Sequence, residues 1–224
     1  MSEIQRVCDW AALGDEYKLT GPVRLEASDG VIQKVDLDPA PYRSERCILP
    51  CPANAHDHAR PLSTTAFGIP GSPLETWLPQ QAIVPSVPAY TAAAASLARA
   101  AAGGSGSVMM HCVRPQGLTD IETEVADVSR AACDVGVRLT FALGLKDRNP
   151  LVYGDTEVVT PALSQSARKT VEHYFYMPET SVAEQLERVE AAARGASQYG
   201  VDVQYGPVGP QWCSDALLRG VAEA

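Results

Sequence analysis

No stretch of this sequence is long and apolar enough to cross a bilayer. The longest alanine-rich run, Ala92–Ala102, is interrupted by Arg99 and falls short of the roughly 20 residues a span requires. The opening residues, MSEIQRVCDW, contain no signal-peptide core. Positive charge is also short: 18 Lys and Arg stand against 27 Asp and Glu, for a net charge of -9 and a pI near 4.9. A basic face for nucleic acid or an anionic membrane is therefore excluded as the organising feature. The six cysteines (Cys8, Cys47, Cys51, Cys112, Cys133, Cys213) include no Cys-x-x-Cys pair, so they are read as reduced and mostly buried, with no disulfide framework or zinc ribbon. What these absences leave is a soluble, cytoplasmic protein with a small neutral or cationic molecule as partner.

Histidine is equally scarce, with four residues in 224, and two of the four lie one residue apart. His56 and His58 close the stretch Ile48–Pro61, ILPCPANAHDHARP, after a short apolar lead-in. On an extended strand, residues i and i+2 project from one face about 6 to 7 Å apart, so both imidazoles can reach one metal ion while Asp57 points away. Neutral imidazole is a common ligand of zinc and iron, and a rigid strand holds such a pair in place. A solvated His-x-His in a loop is the competing account of the bare motif.

At 46% hydrophobic and 20% charged, the composition is that of an ordinary globular protein. Residues 3–47 alternate in short stretches, with VRLE from Val23 and VIQKV from Val31 separated by Ser28-Asp29-Gly30. This predicts a small antiparallel sheet. Beyond the histidines, Pro61–Pro88 is rich in Pro, Gly, Ser and Thr and reads as a long functional loop. Strands and helices then alternate. Helices are predicted over Tyr90–Ala102, Thr119–Cys133, Ser181–Gln198 and Asp215–Ala224. Strands are predicted over Ser107–Val113, Val137–Leu145 and Val201–Tyr205. Ser181 with Glu184 has the spacing of a capping box. The charges from Lys146 to Arg148, at a strand's C-terminal end, read as site residues or a surface ion cluster, with the cluster ahead, and residues 156–180 as a polar loop or broken helical insertion carrying His173. Parallel βαβ units with long loops at one end point to a TIM-type arrangement.

The ILPCPANAHDHARP stretch resembles the first barrel strand of the amidohydrolase superfamily. The likeness is closest to its cytosine deaminase and chlorohydrolase-like branch, where a Leu-Pro-Gly-Leu-Val-Asn-x-His-x-His strand opens the barrel; Cys51 stands at the glycine. The resemblance implies an α/β fold: residues 1–47 as the N-terminal part of a composite β-sandwich, and residues 48–224 as the first half of a (β/α)8 barrel, about four β/α units. It implies His56 and His58 as ligands of one divalent ion, zinc or iron, and places no metal ligand on the strand of His111, which is read as a core or pocket residue.

Leu74-Glu75-Thr76-Trp77-Leu78 resembles a Leu-x-x-Trp-Leu substrate segment of such aminohydrolases, so Trp77 either stacks on a flat heterocycle or packs the loop. The run from Gly206 to Ser214 resembles their Gly-Pro-His-x-Pro-x-x-x-Ser segment, with Val208 at the histidine. Gln204, Gln211 and Trp212 remain as the residues to read a ring.

A complete barrel takes about 250 residues, more than residues 48–224 supply. The histidines and aspartate that complete such a site are expected beyond residue 224, and no catalytic residue is assigned within the chain. The implied chemistry is hydrolysis of a carbon–nitrogen bond other than a peptide bond, in particular deamination of a nitrogen heterocycle. A chlorohydrolase or amidase of the same superfamily, and a non-catalytic half-barrel binding module, are the alternatives. A homo-oligomer is compatible with the complete protein. Four strands on their own leave edges and apolar faces open, so residues 1–224 alone are expected to self-associate and to be inactive.

Overall fold

Two runs of short β elements and a longer alternation of strands and helices build the molecule. The structure is a computed structural model that describes residues 3–37, 45–148, 156–175 and 180–224. The chain divides into two units, Met1–Cys51 and Pro52–Ala224.

In the first unit, β1 (Glu3–Cys8), β4 (Val23–Ser28) and β5 (Val31–Leu37) form an antiparallel sheet in the order β1-β4-β5, while β2 (Trp10–Leu13), β3 (Lys18–Thr20) and β6 (Cys47–Ile48) form a second sheet in the order β3-β2-β6. The expected hairpin is β4–β5. Asp29 and Gly30 turn it with φ of 50° and 78°, the positive pair a two-residue type I′ turn needs. The second sheet is not purely antiparallel, because β6 runs parallel to β2. Cys8, Ala11 and Val23 are fully buried between these strands, with Leu13 and Ile48 packed against them.

The second unit contains four parallel strands, β7 (Ala53–Asp57), β8 (Ser107–Cys112), β9 (Arg138–Leu145) and β10 (Asp202–Pro207), lying side by side in chain order. Its helices are α1 (Leu74–Gln80), α2 (Ala89–Ala102), α3 (Ile121–Val135), α4 (Thr156–Val159), α5 (Gln165–Phe175), α6 (Val182–Ser197) and α7 (Asp215–Glu223). Parallel neighbours require such crossovers, since a short turn cannot return a chain to the same end of a sheet. Among the described residues, no helix is long and apolar enough to cross a membrane.

Period-2 alternation sorts the strands into two faces. Val108, Met110 and Cys112 of β8, with Leu139, Phe141, Leu143 and Leu145 of β9, are buried against Leu97, Val125, Val128, Val189 and Leu217 of the helices. The residues between them, Met109 and His111 on β8 and Thr140 and Ala142 on β9, face the other way. One face carries the helices and the core, and the opposite face carries His111.

Helix ends follow the sequence closely. Ser181 and Glu184 form the expected reciprocal box at α6, worth about 1 kcal/mol. At α3 the cap is Asp120, whose side chain accepts from Thr123 N–H, one residue later than the predicted start at Thr119. The Lys146–Arg148 segment is less of a surface ion cluster than its charges imply, because Asp147 accepts from Ser214 N–H and Oγ at 2.7 and 2.6 Å. Residues 149–155, into which that segment runs, and residues 176–179 of the 156–180 insertion lie outside the described residues. No described cysteine forms a disulfide, as expected, but burial is less general than expected: Cys8, Cys112 and Cys213 are buried and Cys47, Cys51 and Cys133 are exposed. Burial pushes the Cys112 thiol up to about 12.

Where α6 crosses α3, a Cβ on Gly195 would collide with the Glu122 carbonyl, and Arg194 pairs with the Glu122 carboxylate at 3.2 Å beside the same contact. Gly195→Ala is therefore expected to destabilise the protein by about 1–3 kcal/mol, the range for overpacking a tight contact. Urea unfolding checks this, and an unchanged midpoint would contradict so close a helix crossing.

Candidate metal centre

β7 does not run evenly along β8. Asn54 is paired with Val108 and Asp57 with Met110, so three steps on β7 match two on β8 and the strand bulges between them. The bulge is held by short side chains that bond the nearby backbone. Asn54 Oδ1 accepts from His56 N–H at 3.2 Å, and Asn54 Nδ2 donates to Asp57 Oδ2 at 2.9 Å. Asp57 Oδ1 accepts from Ala59 N–H at 2.6 Å, where the chain turns with Ala59 at φ 45°. Asp57 is thus directed into the turn, and the histidines on either side of it share the opposite face.

The two imidazoles converge. His56 Nε2 and His58 Nε2 are 3.4 Å apart, with ring planes at 87°. Zinc–nitrogen bonds of 2.0–2.1 Å at a tetrahedral angle put two ligand nitrogens about 3.3–3.4 Å apart, a length the observed gap matches. His58 Nδ1 lies 2.8 Å from the carbonyl oxygen of His111. A carbonyl can only accept, so this contact places the proton on Nδ1 and leaves a lone pair on Nε2, the atom that faces His56. Two such nitrogens at this separation accommodate either a shared proton or a shared cation. Among the described residues, no group of three or more His, Cys, Asp or Glu is positioned to hold a metal ion. The pair supplies two ligands.

His111 contributes to this geometry through its backbone as well as its ring. Its imidazole stacks on His56 with centroids 4.1 Å apart and planes at 23°. Desolvation, and then the neighbouring His56 and His58, pull its pKa below the usual histidine value, although a hydrogen bond to the Ala55 backbone opposes them. A backbone carbonyl has no signature in a sequence, so its part in setting the His58 tautomer was not legible there.

The other predicted site residues are dispersed. Trp77 sits on α1 under the Arg60 guanidinium, 5.2 Å from ring centroid to Cζ. It lines a groove of about 630 Å³ with Asn54, Asp57, His58, Arg60 and Arg99. Gln204 occupies the same row of the sheet as His111, because both pair with Ala142. It is nonetheless three strands from β7, on the order of 14 Å at 4.7–4.9 Å per strand. Gln211 and Trp212 follow β10, their side chains close over Gly209. None of these three lines a cavity at His58. A smaller cavity, about 140 Å³, opens at the C-terminal ends of β7 and β8, with His58, Arg60, Gln81, His111, Arg114 and Glu124 in its wall.

Comparison with protein-family models finds no match, and comparison with curated proteins finds none either. Solved structures do match. The triazine hydrolase of Arthrobacter aurescens superposes with a TM-score of 0.66 at 14% identity, over 99% of this chain and 50% of that one. The fold is that of half a triazine-hydrolase chain. The atrazine chlorohydrolase of Arthrobacter aurescens TC1 complexed with zinc matches with a TM-score of 0.55 at 14% identity, over 97% of this chain and 49% of that one. A mutant of that enzyme complexed with zinc and atraton gives 0.53 at 16%, over the same shares. The chain spans about half the length of the structures it matches. At such identities the likeness speaks for fold alone.

Replacing His56 or His58 with alanine is expected to abolish zinc binding in isothermal titration while circular dichroism stays near native, because both side chains are exposed. Asp57→Ala should weaken zinc ten- to a hundredfold although Asp57 is not a ligand, the usual effect of losing a group that orients one. Zinc affinity unchanged in Asp57→Ala would show that the turn does not hold the imidazoles.

Proposed function

We propose that this chain is the part of a metal-dependent hydrolase that opens its active site, and that the enzyme displaces a leaving group from a nitrogen heterocycle. The observation that carries the reading is the 3.4 Å approach of two Nε2 atoms, one with its lone pair exposed by the His111 carbonyl. Zinc is the ion that best fits this nitrogen pair, and when bound it supplies the Lewis acidity that makes water a nucleophile near neutral pH. The chain's own residues orient the site. Asp57 and Asn54 hold the turn, the His111 carbonyl fixes the His58 tautomer, and the His111 ring supports His56.

The names of the matching structures favour chloride over ammonia as leaving group, so the chlorohydrolase branch of the resemblance stands ahead of the cytosine deaminase branch. Gln204, Gln211 and Trp212, on the rim of the same sheet, are proposed as ring contacts on the side of the site away from His58. A further histidine and a carboxylate would complete the ligand set. With two imidazoles alone the affinity for zinc is expected to be weak, and residues 1–224 by themselves inactive. A small heterocyclic molecule, with no nucleic acid or membrane, is the proposed partner.

A second reading is a half-barrel binding module that performs no chemistry. It is favoured by the absence, among the described residues, of any third ligand. Incubating the whole protein with atrazine, cytosine and an aminated s-triazine separates the two. The hydrolase reading expects chloride or ammonia release that a chelator abolishes and zinc restores. Binding without release of either product, in protein shown to carry zinc, would establish the module instead.

A further inference from the structure

The protein is acidic overall, yet the small cavity beside His58, lined mainly by apolar residues, carries two arginines. Arg60 and Arg114 both line it, and neither takes part in an ion pair among the described residues. Among the described residues the Arg114 guanidinium donates to the Gln81 carbonyl alone, at 3.1 Å. Arg60 meets the face of Trp77 and, among the described residues, no hydrogen-bond acceptor. Gln81 adds a third donor, since its Nε2 is buried without a hydrogen-bond partner among the described residues.

The one carboxylate in the wall is already committed. Glu124 is 4% exposed and accepts from Gln116 N–H at 2.7 Å and Gly117 N–H at 3.0 Å. A water molecule in the cavity would satisfy Gln81 but would leave the half-buried charge of Arg60, with the exposed Arg114 at the cavity mouth, uncompensated. An anion answers all three donors. At about 140 Å³ the cavity is below the roughly 300–1,000 Å³ of a whole small-molecule site, so it suits a substituent and not a ring.

We propose that this cavity binds a carboxylate, held by Arg60, Arg114 and Gln81 at the side of His58, and that the heterocycle acted on carries that group. The first clause stands on the cavity itself; the second rests on the hydrolase reading above. The net charge argues for a neutral or cationic substrate only at long range, because exposed charges are screened beyond about 8–10 Å at physiological salt. Within the cavity two adjacent guanidinium groups outweigh it, and charge-assisted bonds from arginine to carboxylate are about twice as strong as neutral ones.

Nicotinate and nicotinamide test this, being one ring with and without the anionic group. Isothermal titration of the purified protein is expected to show nicotinate binding at least tenfold tighter than nicotinamide. Arg60→Gln and Arg114→Gln should each remove that preference, and Arg60→Lys should restore part of it. Zinc titration and urea midpoints on the same variants separate loss of the subsite from loss of the metal site or of the fold. A nicotinate preference that survives when zinc fails to bind at His56 and His58 would keep the anion site and sink the hydrolase reading. Equal binding of the two ligands, or a preference unaltered in Arg60→Gln, would overturn the proposal. Inorganic phosphate binding tighter than nicotinate with the same arginine dependence would overturn it in favour of a free-phosphate site.

Discussion

The Asp57 carboxylate is the constraint on which the site depends. It accepts one bond from Asn54 within the bulge and one from Ala59 beyond it, and so closes the turn that sets His56 and His58 on a common face. Hydrogen bonds to a charged group are worth about 1.5–3 kcal/mol each, enough to hold a left-handed residue such as Ala59, whose conformation costs roughly 1–2 kcal/mol. Without the turn, two flexible imidazoles on an edge strand would have no reason to bring their nitrogens within 3.4 Å.

Around that turn the sheet acts as a rigid frame. β8 lies beside β7 and presents His111 twice, as a ring against His56 and as a carbonyl to His58. β8 is itself held in place because its alternate residues, Val108, Met110 and Cys112, are buried with Phe141 and Leu143 against the helices. The polar face and the apolar face of one strand are therefore coupled, so packing on one side positions chemistry on the other. Arg99 extends the frame from α2, donating to the carbonyls of Arg60 and Pro61 at 2.7 Å and fixing the path of the chain as it leaves the histidines.

Much of the frame was legible in the sequence because its signals are local. The His-x-His spacing, the Asp29-Gly30 turn and the Ser181–Glu184 box each depend on a few adjacent residues, and each appears where it was expected. The order of strands and helices was legible for the same reason. What failed to show were properties set by distant parts of the chain. The bulge between Asn54 and Asp57 arises from pairing with β8, and the exposure of Cys133 depends on which face of α3 packs. The arginine pair of the small cavity, Arg60 and Arg114, comes from positions more than fifty apart in sequence and is opposite in sign to the net charge. Gln204, Gln211 and Trp212 are marked by resemblance alone, and the distance of Gln204 from β7 follows from sheet order, which no single segment encodes.

The site depends on which nitrogen of His58 carries the proton and which faces His56. Long-range 15N correlation spectra of the imidazoles in labelled protein, recorded before and after adding zinc, read both directly. The geometry predicts a His58 ring protonated at Nδ1 before zinc is added, and zinc-induced shifts at Nε2 of both His56 and His58 with His111 unligated. A His58 protonated at Nε2, or zinc that leaves both Nε2 signals in place, would contradict it.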